Sequence, residues 1–338
     1  MTSYATATVV EVLQERPGLV RVRLDDGARA YGLTQLTGPV GVGDELVVNT
    51  TAVDRGLGTG GWHVVHWNLS RPPFREEGPG HLMKLRYTSV QADTGAGEEL
   101  DPSLPDSLEG VPVVVVGLHS QVPIVVAALR RDAPGRRVAY VMTDGGALPI
   151  AMSDVVAQLR DRGLLCGTVT AGHAFGGDVE ALNVPSALAL ARHRLAADAI
   201  VVGMGPGVAG TGSRLGFTGL EAAPALDAVA WLAGRPIACV RCSDADPRAR
   251  HRGISHHSRT VLDAVRSTVE VAVPPELGPL DDRHRWHEVE PGDVAALLAS
   301  FELPVRSMGR GIDDDAVFFR AAAAAGVLAA RHLGEGGS

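Results

Sequence analysis

The sequence predicts an α/β protein, a doubly wound and mostly parallel sheet preceded by a small N-terminal β-barrel-like domain. Three observations lead there. Up to about residue 70 the chain alternates short apolar/polar stretches with turns and shows no helical period. From Val111 onward, continuously apolar runs alternate with amphipathic helical segments, the pattern of strands buried on both faces. Hydrophobic residues make up 45% of 338 and aromatics only 4%, so a large core is affordable and must be mainly Val, Leu and Ala.

The elements follow in order. "TATVVEVL", "LVRVRL", "ARAYGL", "DELVVN" and "WHVVHW" read as barrel strands, separated by turns such as "ERPG", "LDDG" and "GPVGVGD". Residues 71–110 read as a connecting segment that includes "HLMKLRYTSVQ" and an acidic Pro/Gly loop. The α/β domain is expected over 111–275. Its strands are "VPVVVVG", "RVAYVMT", "TVTAG", "AIVVGM", "PIACVR" and "TVEVAVP", with helices such as "SQVPIVVAALRRD", "MSDVVAQLRDRG" and "LEAAPALDAVAWLAG" between them. The stretch "DVEALNVPSALALARHRLA" reads as helix. Residues 276–338 read as a helical extension packed on this domain, with Asp313, Asp314 and Asp315 suited to the positive end of the last helix.

Charge and cysteine usage narrow the function classes. A net charge of −8 speaks against nucleic acid or anionic membrane as partner. Three cysteines make no disulfide framework, the N-terminus lacks a signal-peptide pattern, and no transmembrane span is evident; a cytoplasmic protein is the expectation. Thirty of the 31 basic residues are Arg, which with abundant Ala, Gly and Val reads as a high-GC bacterial codon effect. The one lysine, Lys84, is therefore a candidate for substrate binding.

In open α/β sheets ligands bind beyond the carboxyl ends of the strands. Every βα connection here is polar: "GLHSQ", "TDGGALP", "GHAFGGD", "GMGPGVAGTGSRLGFTG" and "RCSDADPRARHRGISHHS"; αβ connections such as "DAPGRR" are plain. His119, Asp144, His173 and His256 are the candidate acid/base residues, since histidine and carboxylate side chains are the usual proton carriers. His119, His173 and Asp178 are the candidate metal ligands, though they come from different loops without a ligand spacing. His256 and His257 are adjacent, so only one is expected to reach a given point. Gly205, Gly207 and Gly210 match G-x-G-x-x-G, but the loop is too long and too late in the sheet for a dinucleotide turn. It reads instead as an anion-binding loop, with Gly212, Thr211, Ser213 and Arg214 as further contacts. Cys239 and Cys242, three apart on a strand, are expected to point to opposite faces, Cys239 buried and Cys242 toward the rim.

The motifs "NTTAVDRGLGTGGWH", "PGHLMKLRYTSVQ", "GLHSQ", "YVMTDGGALP", "GHAFGGDVEALNV", "GMGPGVAGTGSRLGFTG", "DPRARHRGISHH" and "SMGRG" together resemble the bacterial domain-of-unknown-function family numbered 3866, over nearly the whole chain. That resemblance implies no activity. A more distant similarity links "GDVEALNVPSALALARHRLAADAIVVGMGPG" to the proprotein subunit of glycine and proline reductases, without the cleavage cysteine that forms their pyruvoyl group. The expected function is an enzyme acting on a small anionic metabolite at the carboxyl rim, with reaction class, cofactor and oligomeric state open. The alternatives are a non-catalytic sensor or a structural subunit.

Overall fold

The computed structural model describes residues 2–58, 60–72 and 78–335, so part of the expected boundary segment, 73–77, lies outside the described residues. The chain divides into two compact units, Met1–Gly95 and Ala96–Ser338.

The first unit is built on a closed barrel of β1 (Tyr4–Arg16), β2 (Leu19–Leu24), β3 (Arg29–Gly32), β4 (Glu45–Asn49) and β5 (Trp62–Asn68), in the order β1-β2-β3-β5-β4. All pairs are antiparallel except β3 with β5. Alternation along each strand sends Val9, Val20, Val22, Leu24, Leu46, Val48 and Val65 inward, and closure removes the exposed edges of a flat sheet. The five strands expected from the sequence are the five observed. The same unit holds a two-residue strand pair, Met83–Lys84 with Ala92–Asp93.

The second unit is an eight-stranded, all-parallel sheet. Its strands are β6 (Pro112–Val116), β7 (Val138–Thr143), β8 (Gly167–Ala171), β9 (Val179–Ala181), β10 (Ala199–Met204), β11 (Arg235–Cys239), β12 (Glu270–Val273) and β13 (Arg285–Glu288), in the order β9-β8-β7-β10-β6-β11-β12-β13. Helices cover both faces. One face carries α1 (Val122–Asp132), α2 (Asp154–Asp161), α6 (Val294–Ser300) and most of α7 (Ala316–Glu335). The other carries α3 (Val184–Ala189), α4 (Ala222–Trp231) and α5 (His256–Ala264). Strand β6 shows why its sequence is continuously apolar: Val114 and Val116 enter one core, Val113 and Val115 the other.

The stretch read wholly as helix from Asp178 is otherwise. Val179–Ala181 pairs with β8 as a short edge strand, and only then does α3 begin, capped by the Asn183 side chain on the Ser186 amide. Three residues are too short for a periodic signal. Strand β13 was likewise hidden, because "RWHE" lies at the sheet edge and alternates too weakly to read as a core strand.

Helix α7 is apolar enough, by length and composition, to cross a membrane, yet 72% of that stretch is buried inside the protein. It packs on α1 at very close range. A Cβ placed on Gly326 would sit 2.4 Å from the Val125 carbonyl oxygen and 2.9 Å from Ala128 Cβ. Gly326→Ala is therefore expected to cost about 1–3 kcal/mol through overpacking, read as a fall of several degrees in Tm. An unchanged Tm would contradict this helix contact.

Two connections place the site. Strand β7 runs through α2 on one face to β8, and β10 runs through α4 on the other face to β11. Chain paths leave adjacent β7 and β10 in opposite directions, and such a switch point opens a crevice at the carboxyl ends.

Candidate functional site at the carboxyl rim

At the end of β7, Thr143 Oγ1 donates a short hydrogen bond to Glu221 Oε1, and the Gly145 amide also donates to that carboxylate. Glu221 closes the 3₁₀ turn Thr218–Glu221, just before α4. Burial is the main cause that raises its pKa above the usual carboxylate value, and the neighbouring Asp144 carboxylate adds to it. Asp144 is itself exposed and accepts from the His173 amide at 3.0 Å, so the ends of β7 and β8 are joined. Gly172 makes room for that bond, since a Cβ there would lie 2.3 Å from Asp144 Oδ2.

His119 has both ring nitrogens engaged. Nδ1 lies 3.0 Å from the Met204 carbonyl and Nε2 2.6 Å from Ser153 Oγ. Ser153 is the N-cap of α2, its hydroxyl accepting from the Val156 amide at 2.9 Å, so its proton is directed to the ring. The buried Tyr140 hydroxyl donates to the carbonyls of Gly203 and Met204. Desolvation pushes the His119 pKa down to about 4. The ring thus works as a neutral clasp between the ends of β6 and β10 and the start of α2.

The glycine-rich loop folds back on itself. Thr211 N donates to Gly216 O, Thr218 N to Ala209 O, Ala209 N to Thr218 Oγ1 and Gly216 N to Ser213 Oγ. Thr211 Oγ1 and Ser213 Oγ are 2.9 Å apart, and Arg214 pairs with Asp263 at 2.9 Å in an exposed position. Gly205 serves a close approach of two backbones: a Cβ on it would lie 2.3 Å from the Ala147 carbonyl oxygen, and one on Gly146 would lie 2.2 Å from the Gly205 carbonyl oxygen. Gly207 and Gly212 adopt positive φ, 98° and 82°, whereas Gly210 forms a bridge with Phe217. The loop is a hairpin in which the amides of Ala209, Thr211, Gly216 and Thr218 are taken by partners within it.

Beyond β11 three imidazoles converge. His251, His256 and His257 place one ring nitrogen each within 4.8 Å of one another. Their ring centroids are 4.3–4.9 Å apart, and His257 stacks on Phe217 at 3.9 Å. The expectation that adjacent histidines cannot meet at one point is corrected here. They occupy the first two residues of α5, where the chain enters the helix, and His251 comes from the preceding turn. Desolvation is the first cause lowering all three pKa values, to about 4 for His251 and about 3 for His257. His251 Nδ1 lies 2.7 Å from Ser255 Oγ, while the buried His256 Nε2 has no hydrogen-bond partner among the described residues.

A buried ion-pair knot holds this loop. Asp246, fully buried, takes Arg248 through two contacts of 2.9 and 2.8 Å, Arg241 at 3.3 Å and Arg310 at 3.6 Å. Arg310 also pairs with Asp315, which accepts from Ser243 Oγ at 2.6 Å and the Asp244 amide at 3.1 Å. Asp315, expected to serve the α7 terminus, thus ties that terminus to the histidine loop. Arg250 is exposed, has no ion-pair partner among the described residues, and its Nη2 would lie 3.8 Å from a Cβ on Gly212.

The model of a protein family described as "Protein of unknown function (DUF3866)" matches residues 29–326. The chain belongs to that family. No curated protein and no solved structure matches it.

Of the expected site residues, this DUF3866 chain brings Asp144 and His173 together. It keeps His119 in a separate clasp and puts His256 with His251 and His257. Asp178 straps β8 to its loop, accepting from Thr168 N and Oγ1 at 2.8 and 2.9 Å and pairing with Arg160. Among the described residues, the threefold grouping of potential ligands is the histidine one, so His119, His173 and Asp178 form no such group. Lys84 is buried in the first unit. Cys239 and Cys242 do enter opposite cores, but Cys242 is buried too, not turned to the rim, and burial raises both thiol pKa values. Sequence reasoning missed Glu221, which it placed inside the following helix. Pro224, favoured only in a first helical turn, was the signal that the helix starts after Glu221. Nothing local marked Asp246 or His251.

Proposed function

We infer that the protein is an enzyme acting on a small anionic metabolite at the carboxyl rim of the parallel sheet, by general acid/base chemistry. The carrying observation is Glu221: a carboxyl group at the switch point, mostly removed from water, with its pKa raised and no cation bonded to it among the described residues. A carboxyl group in such a place is a candidate for exchanging a proton near neutral pH. Asp144 stands beside it, and the His173 amide bonds to Asp144. Phe217 is the N-cap of the four-residue turn that ends in Glu221, so the acid and the histidine cluster flank one turn. Arg250, exposed and without an ion-pair partner among the described residues, supplies the anion contact in this reading, in place of the hairpin that contains Gly205–Arg214.

The test is a thermal-shift screen against phosphorylated metabolites, nucleotides and amino acids. A stabilising anion whose effect is lost in Arg250→Ala is the expected result. If no anion stabilises the protein, the reading fails. A ligand that binds at the rim and is recovered unchanged would favour a sensing role instead.

A further inference from the structure

We propose that His251, His256 and His257 form a binding site for one divalent late first-row transition metal ion of the zinc type. The geometry carries this. Three imidazoles from a seven-residue stretch bring one nitrogen each within 4.8 Å of the others, without any carboxylate or thiolate in the group. Around a tetrahedral zinc ion the nitrogens would stand about 3.4 Å apart, so ring rotations of roughly an ångström close the site.

Two details of the cluster fit ligation. The His256 Nε2 atom is buried with no hydrogen-bond partner among the described residues, a costly state that a metal bond would relieve. His251 Nδ1 faces Ser255 Oγ at 2.7 Å. Such an outer partner fixes the orientation of the ring, as the outer partners of metal-bound imidazoles do. Ser255 is in turn fixed as the N-cap of α5, and the His257 ring is fixed by stacking on Phe217. Imidazole suits zinc, copper, nickel and iron, and an all-histidine set of three leaves a coordination position open.

The surroundings predict what fills that position. Arg241 and Arg248 lie within electrostatic range of all three rings, and the start of α5 adds positive potential. Asp246 offsets only part of this charge. The field therefore opposes a bare cation and favours an anionic fourth ligand, hydroxide or the anionic group of a bound molecule. Metal binding does not depend on the catalytic reading, because it is measured with no substrate present.

The experiment uses the full chain, stripped by a chelator and dialysed, then titrated with cobalt(II) and with zinc(II). One equivalent of cobalt should produce the intense visible absorption of a tetrahedral site, and zinc should abolish it stoichiometrically. His256→Asn and His257→Asn should each weaken zinc binding by about 100-fold or more, with circular dichroism confirming the fold. His66→Asn, on a barrel strand, should leave it unchanged. The proposal is overturned if wild-type protein binds no stoichiometric metal, or if both cluster variants bind as wild type does. Should either variant fail to fold, X-ray absorption of the zinc-loaded wild type decides: three imidazole nitrogens support the site, and a six-oxygen shell refutes it.

Discussion

Asp246→Asn is expected to destabilise the protein by about 3–5 kcal/mol, the scale of breaking a buried ion pair from one side. The carboxylate is fully buried and faces three guanidinium groups, of which Arg241 is itself buried. Asparagine keeps the volume and removes the charge, which leaves Arg241 and Arg248 uncompensated. Arg310 retains Asp315. The pH dependence has a definite sign. The hydrogen bonds from Arg248 hold the Asp246 pKa far below the usual carboxylate range. A carboxyl group with a depressed folded pKa stabilises the fold above its unfolded value, about 3.9, and loses that contribution as pH falls toward the folded value. The wild type should therefore lose stability on acidification below about pH 4 more steeply than the variant. Urea unfolding at neutral pH and at low pH checks both statements. An unchanged midpoint at neutral pH would mean that the knot contributes nothing. Because the knot carries the His251 loop, the variant should also lose affinity for zinc.

In the proposed acid/base reaction, Glu221→Gln is expected to lower turnover by about 10²–10⁴-fold while leaving ligand binding intact. Glutamine preserves the shape and an acceptor for Thr143, but cannot exchange a proton. The stability consequence runs opposite to that for Asp246. Burial raises the Glu221 pKa in the folded state. Between the ordinary value, about 4.3, and the raised value the folded protein holds more proton than the unfolded chain, so stability falls as pH rises through this window. Above the window the loss is complete. The glutamine variant lacks this step and should be at least as stable as wild type at neutral pH. Chemical denaturation across the acidic to neutral range measures the difference. A variant that keeps full turnover would remove Glu221 from the chemistry, and one that loses ligand affinity would make it a binding residue.

The two stability effects differ because the two acids are buried differently. Asp246 is surrounded by cations, which favour its charged form. Glu221 has a hydroxyl, an amide and another carboxylate beside it, and desolvation dominates. Both are Asp or Glu followed by ordinary residues in the chain, and no pattern around either distinguishes the roles.

Legibility followed the range of the forces involved. The barrel strands were readable because burial of one face imposes a period of two, and the strands β6, β7, β8, β10, β11 and β12 because burial on both faces gives short uninterrupted runs. Gly167–Ala171 and Ala199–Met204, for example, are buried at every position. The short edge strand Val179–Ala181 and the edge strand Arg285–Glu288 were not, since an edge leaves too little burial to print a period. Within the rim, the polar character of all five connections was visible. Their partnerships were not. His119 looked like a base and is a clasp, because Ser153, 34 residues on, and Met204, 85 residues on, come to its two nitrogens.

The sequence by itself determined the order of the barrel strands and of six of the eight sheet strands, the doubly wound parallel sheet with its N-terminal barrel, and the polar character of the loops at one rim. These follow from local periodicity and from the handed, short connections that parallel strands require. Only the tertiary structure decided which side chains on that rim meet. The glycine motif became a hairpin pressed against Gly146 and Ala147, Glu221 turned back onto Thr143, and two adjacent histidines joined a third. The first rests on backbone contacts and the second on a side-chain bond between loops distant in the chain, while the third is closed within residues 251–257, and none of these arrangements is set by the residues' own preferences.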